Sequence, residues 1–167
     1  MKIKANQLSP HLQKNLARCY LVSGDEHLIV DEALDAIRST ARDRGFTSRD
    51  LHVATTGFDW MQLQNSGSNL SLFAEKRIVE LRLPTGKPGR SGSQAIVDFV
   101  DKIDDDLLLV VVTPKLDKRS QSVKWVKALE SAGVMIQVWP VSQRELPGWI
   151  AQRMRSKGLQ PDRDAVA

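Results

Sequence analysis

The sequence predicts an α/β protein, a five-stranded parallel sheet flanked by helices that runs on into the start of a small helical unit. Three observations predict it. Short apolar or β-branched runs alternate along the chain with stretches whose apolar residues recur at helical spacing, the pattern of strands joined by crossover helices. The run Leu107-Leu108-Leu109-Val110-Val111-Val112 is apolar at every position, as a strand covered on both faces must be. Finally, Cys19-Tyr20-Leu21-Val22-Ser23-Gly24-Asp25 reads as a buried strand ending in a glycine turn, with a helix directly after it.

That helix is expected over 26–44, where Leu28, Ile29, Ala33, Leu34, Ile37 and Ala41 share one face. Asp25 is placed to cap it and Gly45 to close it. A second strand fits Leu51-His52-Val53-Ala54-Thr55, a third 77–83, a fourth 107–113 and a fifth 134–139. Helical patterns at 58–65, 93–103 and 118–132 separate them. The stretch 84–92, rich in Pro, Gly and Ser, is expected to be a nine-residue loop, and Asp104-Asp105-Asp106 a turn ahead of the fourth strand. After Pro140 the pattern changes. Ser142 and Glu145 stand at capping-box spacing for a helix through about Lys157, with Gly158 past its end. The expected domains are therefore 1–140 and the opening of a second unit at 141–167, with the chain a fragment of something longer.

Composition sets the class. Of the 167 residues 41% are hydrophobic and 26% charged, ordinary for a globular protein. The first residues lack the apolar core of a signal peptide and no run approaches a membrane span, so a cytoplasmic location is expected. The lone cysteine, Cys19, lies in an apolar run and reads as a buried small hydrophobe. The net charge of +4 permits contact with nucleic acid without requiring it. Its one local concentration is Lys115, Lys118, Arg119, Lys124 and Lys127 around Asp117, either a solvated helix face or a phosphate-facing one.

Catalytic chemistry is hard to place on this chain. A phosphate-binding loop needs glycines so that backbone N–H groups can wrap the phosphates, a lysine for charge and a hydroxyl for magnesium. Ser23-Gly24-Asp25-Glu26-His27 instead offers two carboxylates where an anion would sit. Gly86-Lys87 has Leu81 at the first glycine position and Pro88 in place of the hydroxyl. The third and fourth strands end in Leu83-Pro84 and Thr113-Pro114, without an acidic residue for magnesium. His11, His27 and His52 show no metal-ligand spacing, and Ser23 lacks the first glycine of a nucleophile elbow. No catalytic residue, metal ligand or cofactor is assigned.

The remaining signal is Asn69-Leu70-Ser71-Leu72-Phe73, an apolar pair presented after the small polar run Asn65-Ser66-Gly67-Ser68. Gly67 and its neighbours are expected to break any helix running through Gln64 and leave the pentapeptide at an exposed junction. On the residues alone two readings stand: Leu72 and Phe73 start the third strand and point inward, or they are offered to a partner. The pentapeptide resembles the Gln-Leu-(Ser or Asp)-Leu-Phe signal by which bacterial replication proteins grip the sliding clamp, with Asn69 in place of Gln.

Together with Leu16–Glu26, Ser71-Leu72-Phe73-Ala74, Asp105–Val111 and Leu146-Pro147-Gly148-Trp149-Ile150, this makes the chain similar to the delta subunit of the bacterial DNA polymerase III clamp loader. The resemblance implies an AAA+-like domain with a degenerate nucleotide site, then the start of a helical lid. It implies a non-catalytic role, with ATP hydrolysis left to neighbouring subunits. In that family Leu72 and Phe73 would enter an apolar pocket on the sliding clamp (the beta subunit) and hold one ring interface open. Leu70 would pack at the rim, Ser71 would set the backbone and Asn69 would take the polar position. The implied partners are the clamp, the delta-prime and gamma/tau subunits and, through the assembly, DNA. Two other readings follow from the residues alone, a nucleotide-processing enzyme of the same sheet class and a nucleic-acid module using 115–127 with Trp125.

Overall fold

The computed structural model describes residues 1–68, 75–160 and 162. Its centre is one parallel sheet of six strands, β1 (Lys2–Lys4), β2 (Cys19–Ser23), β3 (Phe46–Val53), β4 (Lys76–Arg82), β5 (Leu107–Thr113) and β6 (Val134–Gln137), in the order β1-β6-β2-β5-β4-β3. The five expected strands are there, and β1 is the addition. It pairs with β6 from Lys2↔Met135 to Lys4↔Gln137, a three-residue edge strand with only Ile3 half-buried. Two lysines on so short a strand give no period to read, and they suit an edge that must not recruit another chain.

Alternation along the strands divides the core in two. Cys19, Leu21, Val79, Leu81, Leu109, Val111 and Met135 face one side, where α3 (Met61–Ser68), α4 (Gly89–Lys102) and α5 (Lys124–Ala132) cover them. Tyr20, Val22, Ile78, Leu108, Val110, Val134 and Ile136 face the other, under α1 (Leu8–Lys14) and α2 (His27–Asp43). Burial of β2 on both faces requires its unbroken apolar sequence. Burying each of these side chains contributes roughly 1.5–3 kcal/mol.

Several boundaries differ from expectation for identifiable reasons. β3 starts at Phe46, five residues early, because its inward Phe46, Ser48, Asp50 and His52 alternate with exposed neighbours and only Phe46 is a large apolar residue. α4 starts at Gly89, so the expected nine-residue loop loses its last four residues to a helix. The small Gly92 lies directly against Trp60 and Pro88, where any side chain would collide, and a glycine that looks like loop punctuation is a packing requirement. The pattern over 118–132 divides into a 3-10 turn at Ser120–Ser122 and α5, with extended Val123 between them.

Other turn expectations hold, and one helix start does not. Asp106 N–H donates to Asp104 Oδ1 at 3.0 Å, making the turn before β5. Gly45, at φ +91°, follows α2 in the left-handed region. Ser142 Oγ donates to Glu145 Oε2 at 2.6 Å and Ser142 N–H to the same oxygen at 3.4 Å, but α6 (Leu146–Ser156) starts four residues after Ser142, so Glu145 and not Ser142 stands at its N-cap. Gly158 (φ +75°) ends α6, with Leu159 N–H returning to Met154 O at 2.8 Å. α6 is tied to α2 by Arg153 and Glu32, 2.7 Å apart.

Candidate functional site

Residues Asn69, Leu70, Ser71, Leu72 and Phe73 lie outside the described residues. The elements on either side of them are described. Upstream, Asp59 Oδ1 accepts the Met61 N–H at 3.0 Å and starts α3, whose Leu63 is fully buried. Gln64 Nε2 donates to Ala95 O on α4 at 2.9 Å. The helix does not break at Gln64 as expected but continues to Ser68. Ser66 Oγ donates to Gln62 O at 3.2 Å and meets His52 Nε2 on β3 at 2.8 Å, so its competing hydroxyl is used inside the helix. Gly67 lets the last turn lie against α4, where a Cβ would stand 2.8 Å from the Phe99 ring. Downstream, Lys76 opens β4 with its ammonium 5.4 Å from the centre of the Phe46 ring. Arg77 N–H donates to Asp106 O at 2.8 Å and its guanidinium meets Asp50 at 3.3 Å. α3 is thus packed against α4 and β3, and β4 joins the sheet at the end where its strands begin.

At the opposite end, where parallel sheets present their ligand sites, the chain fills the space itself. Only three residues, 24–26, join β2 to α2. Ser23 Oγ donates to Pro114 O at 3.0 Å and accepts the Leu116 N–H at 3.1 Å, and Val138 N–H donates to Ser23 O at 2.8 Å. A Cβ on Gly24 would lie 2.5 Å from Val138 Cβ, so β2 and the residue after β6 close on each other. Asp25 does not cap α2 as expected. Its Oδ1 accepts the Lys115 N–H at 3.0 Å, and Glu26, at the helix start, supplies no side-chain cap among the described residues. The loop is short, sealed by its neighbours and lined by a carboxylate, and so differs from the glycine-rich loop that wraps a phosphate.

The basic residues of 115–127 do not lie on one helix side, contrary to expectation. Lys115, Lys118 and Arg119 precede the helix, and only Lys124 and Lys127 are in it. Lys115 Nζ stands 4.6 Å over the Trp139 ring and Lys124 Nζ donates to Gln94 Oε1 at 3.2 Å. Trp125 is buried in the core and cannot stack on a base. An exposed aromatic at this end is Trp139, expected in a strand but lying two residues beyond the end of β6. No helix among the described residues is long and apolar enough to cross a membrane, and they hold no cluster of three metal-ligating side chains.

A parallel sheet in the order β1-β6-β2-β5-β4-β3, covered by helices on both faces, is an AAA+-like fold. Solved structures carry the same fold. The Bacillus subtilis DNA clamp loader delta protein superposes with a TM-score of 0.68 at 17% identity, over 92% of this chain and 48% of that one. Thermotoga maritima RuvB (R170A) does so with a TM-score of 0.58 at 12% identity, over 96% and 52%. The family described as DNA polymerase III, delta subunit, matches residues 20–138, and the chain belongs to it. DNA polymerase III subunit delta of Escherichia coli (strain K12) is 28% identical over 162 residues, 97% of this chain and 47% of that protein. Its counterpart from Haemophilus influenzae is 29% identical over 168 residues, 99% and 48%. The chain spans about half the length of the curated relatives it matches.

Proposed function

We propose that this chain is the clamp-gripping part of a cytoplasmic clamp-loader delta subunit, which binds the sliding clamp through Leu72 and Phe73 and holds the ring open for loading onto DNA. The observation that carries this reading is the family match over 20–138, which spans the pentapeptide. Two packed anchors, α3 and β4, support it, since a partner pulling on the segment between them would pull against the core and not against a loose loop. Leu70, Ser71 and Asn69 complete the contact, Asn69 reaching one methylene less far than Gln. Residues 1–140 form the clamp-binding domain and 141–167 open the lid. The closed ligand end supports leaving ATP binding and hydrolysis to partner subunits such as delta-prime and gamma/tau, and weighs against the nucleotide-processing alternative. The burial of Trp125 weighs against the nucleic-acid module.

The test is calorimetric titration of this chain into the cognate sliding clamp, with the Leu72→Ala, Phe73→Ala double variant beside it. Each truncation is expected to cost about 2 kcal/mol, so the double variant should bind at least several hundred-fold more weakly while keeping the far-UV spectrum and urea midpoint of the parent. Equal binding by a folded double variant would overturn the wedge reading.

A further inference from the structure

The strand that follows the proposed wedge opens at a second feature. A cleft of about 900 Å³ opens at the end of the sheet where the strands begin, lined among others by His11, Arg18, Arg44, Phe46, Lys76 and Asp105. Its side chains carry three fixed cations against one carboxylate, a local excess of +2 in a chain whose formal net charge is +4. Arg18 is paired with Asp105 at 2.6 Å, but that carboxylate is 84% exposed and the pair is correspondingly weak. Arg44 spends one N–H on Leu12 O at 3.3 Å, and Lys76 rests over the Phe46 ring. Neither has a carboxylate within ion-pair distance among the described residues.

The geometry points to this cleft as a second contact with the clamp, taking a carboxylate-bearing segment of the protein that grips Leu72 and Phe73. The inference rests on the clamp-binding reading above. Phe73 stands three residues before Lys76, and three residues of fully extended chain span at most about 11 Å. A protein seated on Phe73 therefore comes within that span of Lys76, which lines the cleft. There the guanidinium fork of Arg44 offers a planar site for a carboxylate and Lys76 a point charge beside it. An acidic protein segment is favoured over a nucleic-acid phosphate because the cleft adjoins the protein-gripping segment. Complementary charge at such a rim sets register and speeds encounter, which would let an apolar pair find its pocket in one orientation.

The experiment titrates the full-length protein into the clamp at a series of salt concentrations, with two charge variants and the wedge variant in parallel. Arg44→Glu with Lys76→Glu should weaken binding about tenfold or more at low salt and flatten the salt dependence. Asp105→Asn, at an exposed position that cannot unfold the chain, should tighten binding a few-fold and so serves as a control that misfolding cannot mimic. Wild-type affinity in both charge variants, with the wedge variant still impaired, overturns the cleft assignment alone. Normal binding by the wedge variant overturns the wedge reading, and no binding by the parent overturns both. A loss of affinity for duplex DNA in the charge-reversed variant, with clamp binding unchanged, would assign the cleft to nucleic acid and also overturn the proposal.

Discussion

His11 shows how one side chain ties local chemistry to stability. Tyr20, buried in β2, accepts the Ala17 N–H at 2.9 Å, and its hydroxyl lies 3.2 Å from His11 Nε2. Burial holds the His11 pKa below its ordinary 6.5. The unfolded chain therefore takes up a proton at higher pH than the folded one. Stability from this group is whole above about 6.5 and is lost as pH falls from there through the lowered folded value. Melting the parent and His11→Gln at about pH 7.5 and about pH 5.5 should show the parent losing more of its melting temperature on acidification than the variant. Equal losses would mean that His11 does not carry this part of the pH dependence.

Elements in this protein are held as much by polar contacts as by apolar ones, and β4 is the case in point. Glu80 points to the α2 side of the sheet and is 1% exposed. Arg38 of α2 grips both its oxygens, at 2.7 and 2.9 Å, and Arg82 adds a contact at 3.0 Å. Burial works against the Arg38 charge, but Glu80 and Asp35 outweigh it and raise the guanidinium's pKa. A buried pair of this kind is costly to break from one side because the other charge stays behind. Glu80→Ala is expected to destabilise the protein by about 3 kcal/mol, whereas Arg82→Ala, removing a half-exposed partner, should cost less than about 1 kcal/mol. Urea unfolding of the two variants checks the ordering. Similar midpoints would mean that α2 and β4 are held together by the apolar layer alone.

At the scale of the whole molecule, the sheet's two-sided burial makes its central strand the last part to reach solvent. Cys19 starts β2, is fully buried, and has its thiol pushed up to about 12 by burial, which the nearby Arg18 charge only partly opposes. Two barriers therefore protect it: almost no thiolate near neutral pH and no access without opening the sheet. Modification by a thiol-specific disulfide reagent should run about 10³-fold or more slower in the native protein than in the urea-unfolded chain. Its rate should also follow global unfolding across a denaturant series. Rapid native labelling would show that the edge carrying β1 and β6 opens independently.

The strands legible in the sequence were those whose own residues repeat the environment. β5 was read to the residue because 107–113 is apolar on both faces, and β2 for the same reason. Turn chemistry was legible too, at Gly45, Asp104 and the Ser142–Glu145 pair. What the tertiary structure alone decided depends on partners distant in the chain. β1 exists because β6 offers it an edge. Asp25 leaves the helix it could cap for the Lys115 N–H. Gly67 and Gly92 sit in helices because Phe99 and Trp60 need the space a side chain would fill. The basic cleft gathers Arg18, Arg44 and Lys76 from three separate segments, so no local period announces it. Local pattern thus determined which segments are strands and helices, since each strand or helix imposes its own repeat on its residues. Strand order, the closed ligand end and the cleft were decided by packing, since each depends on which segments meet.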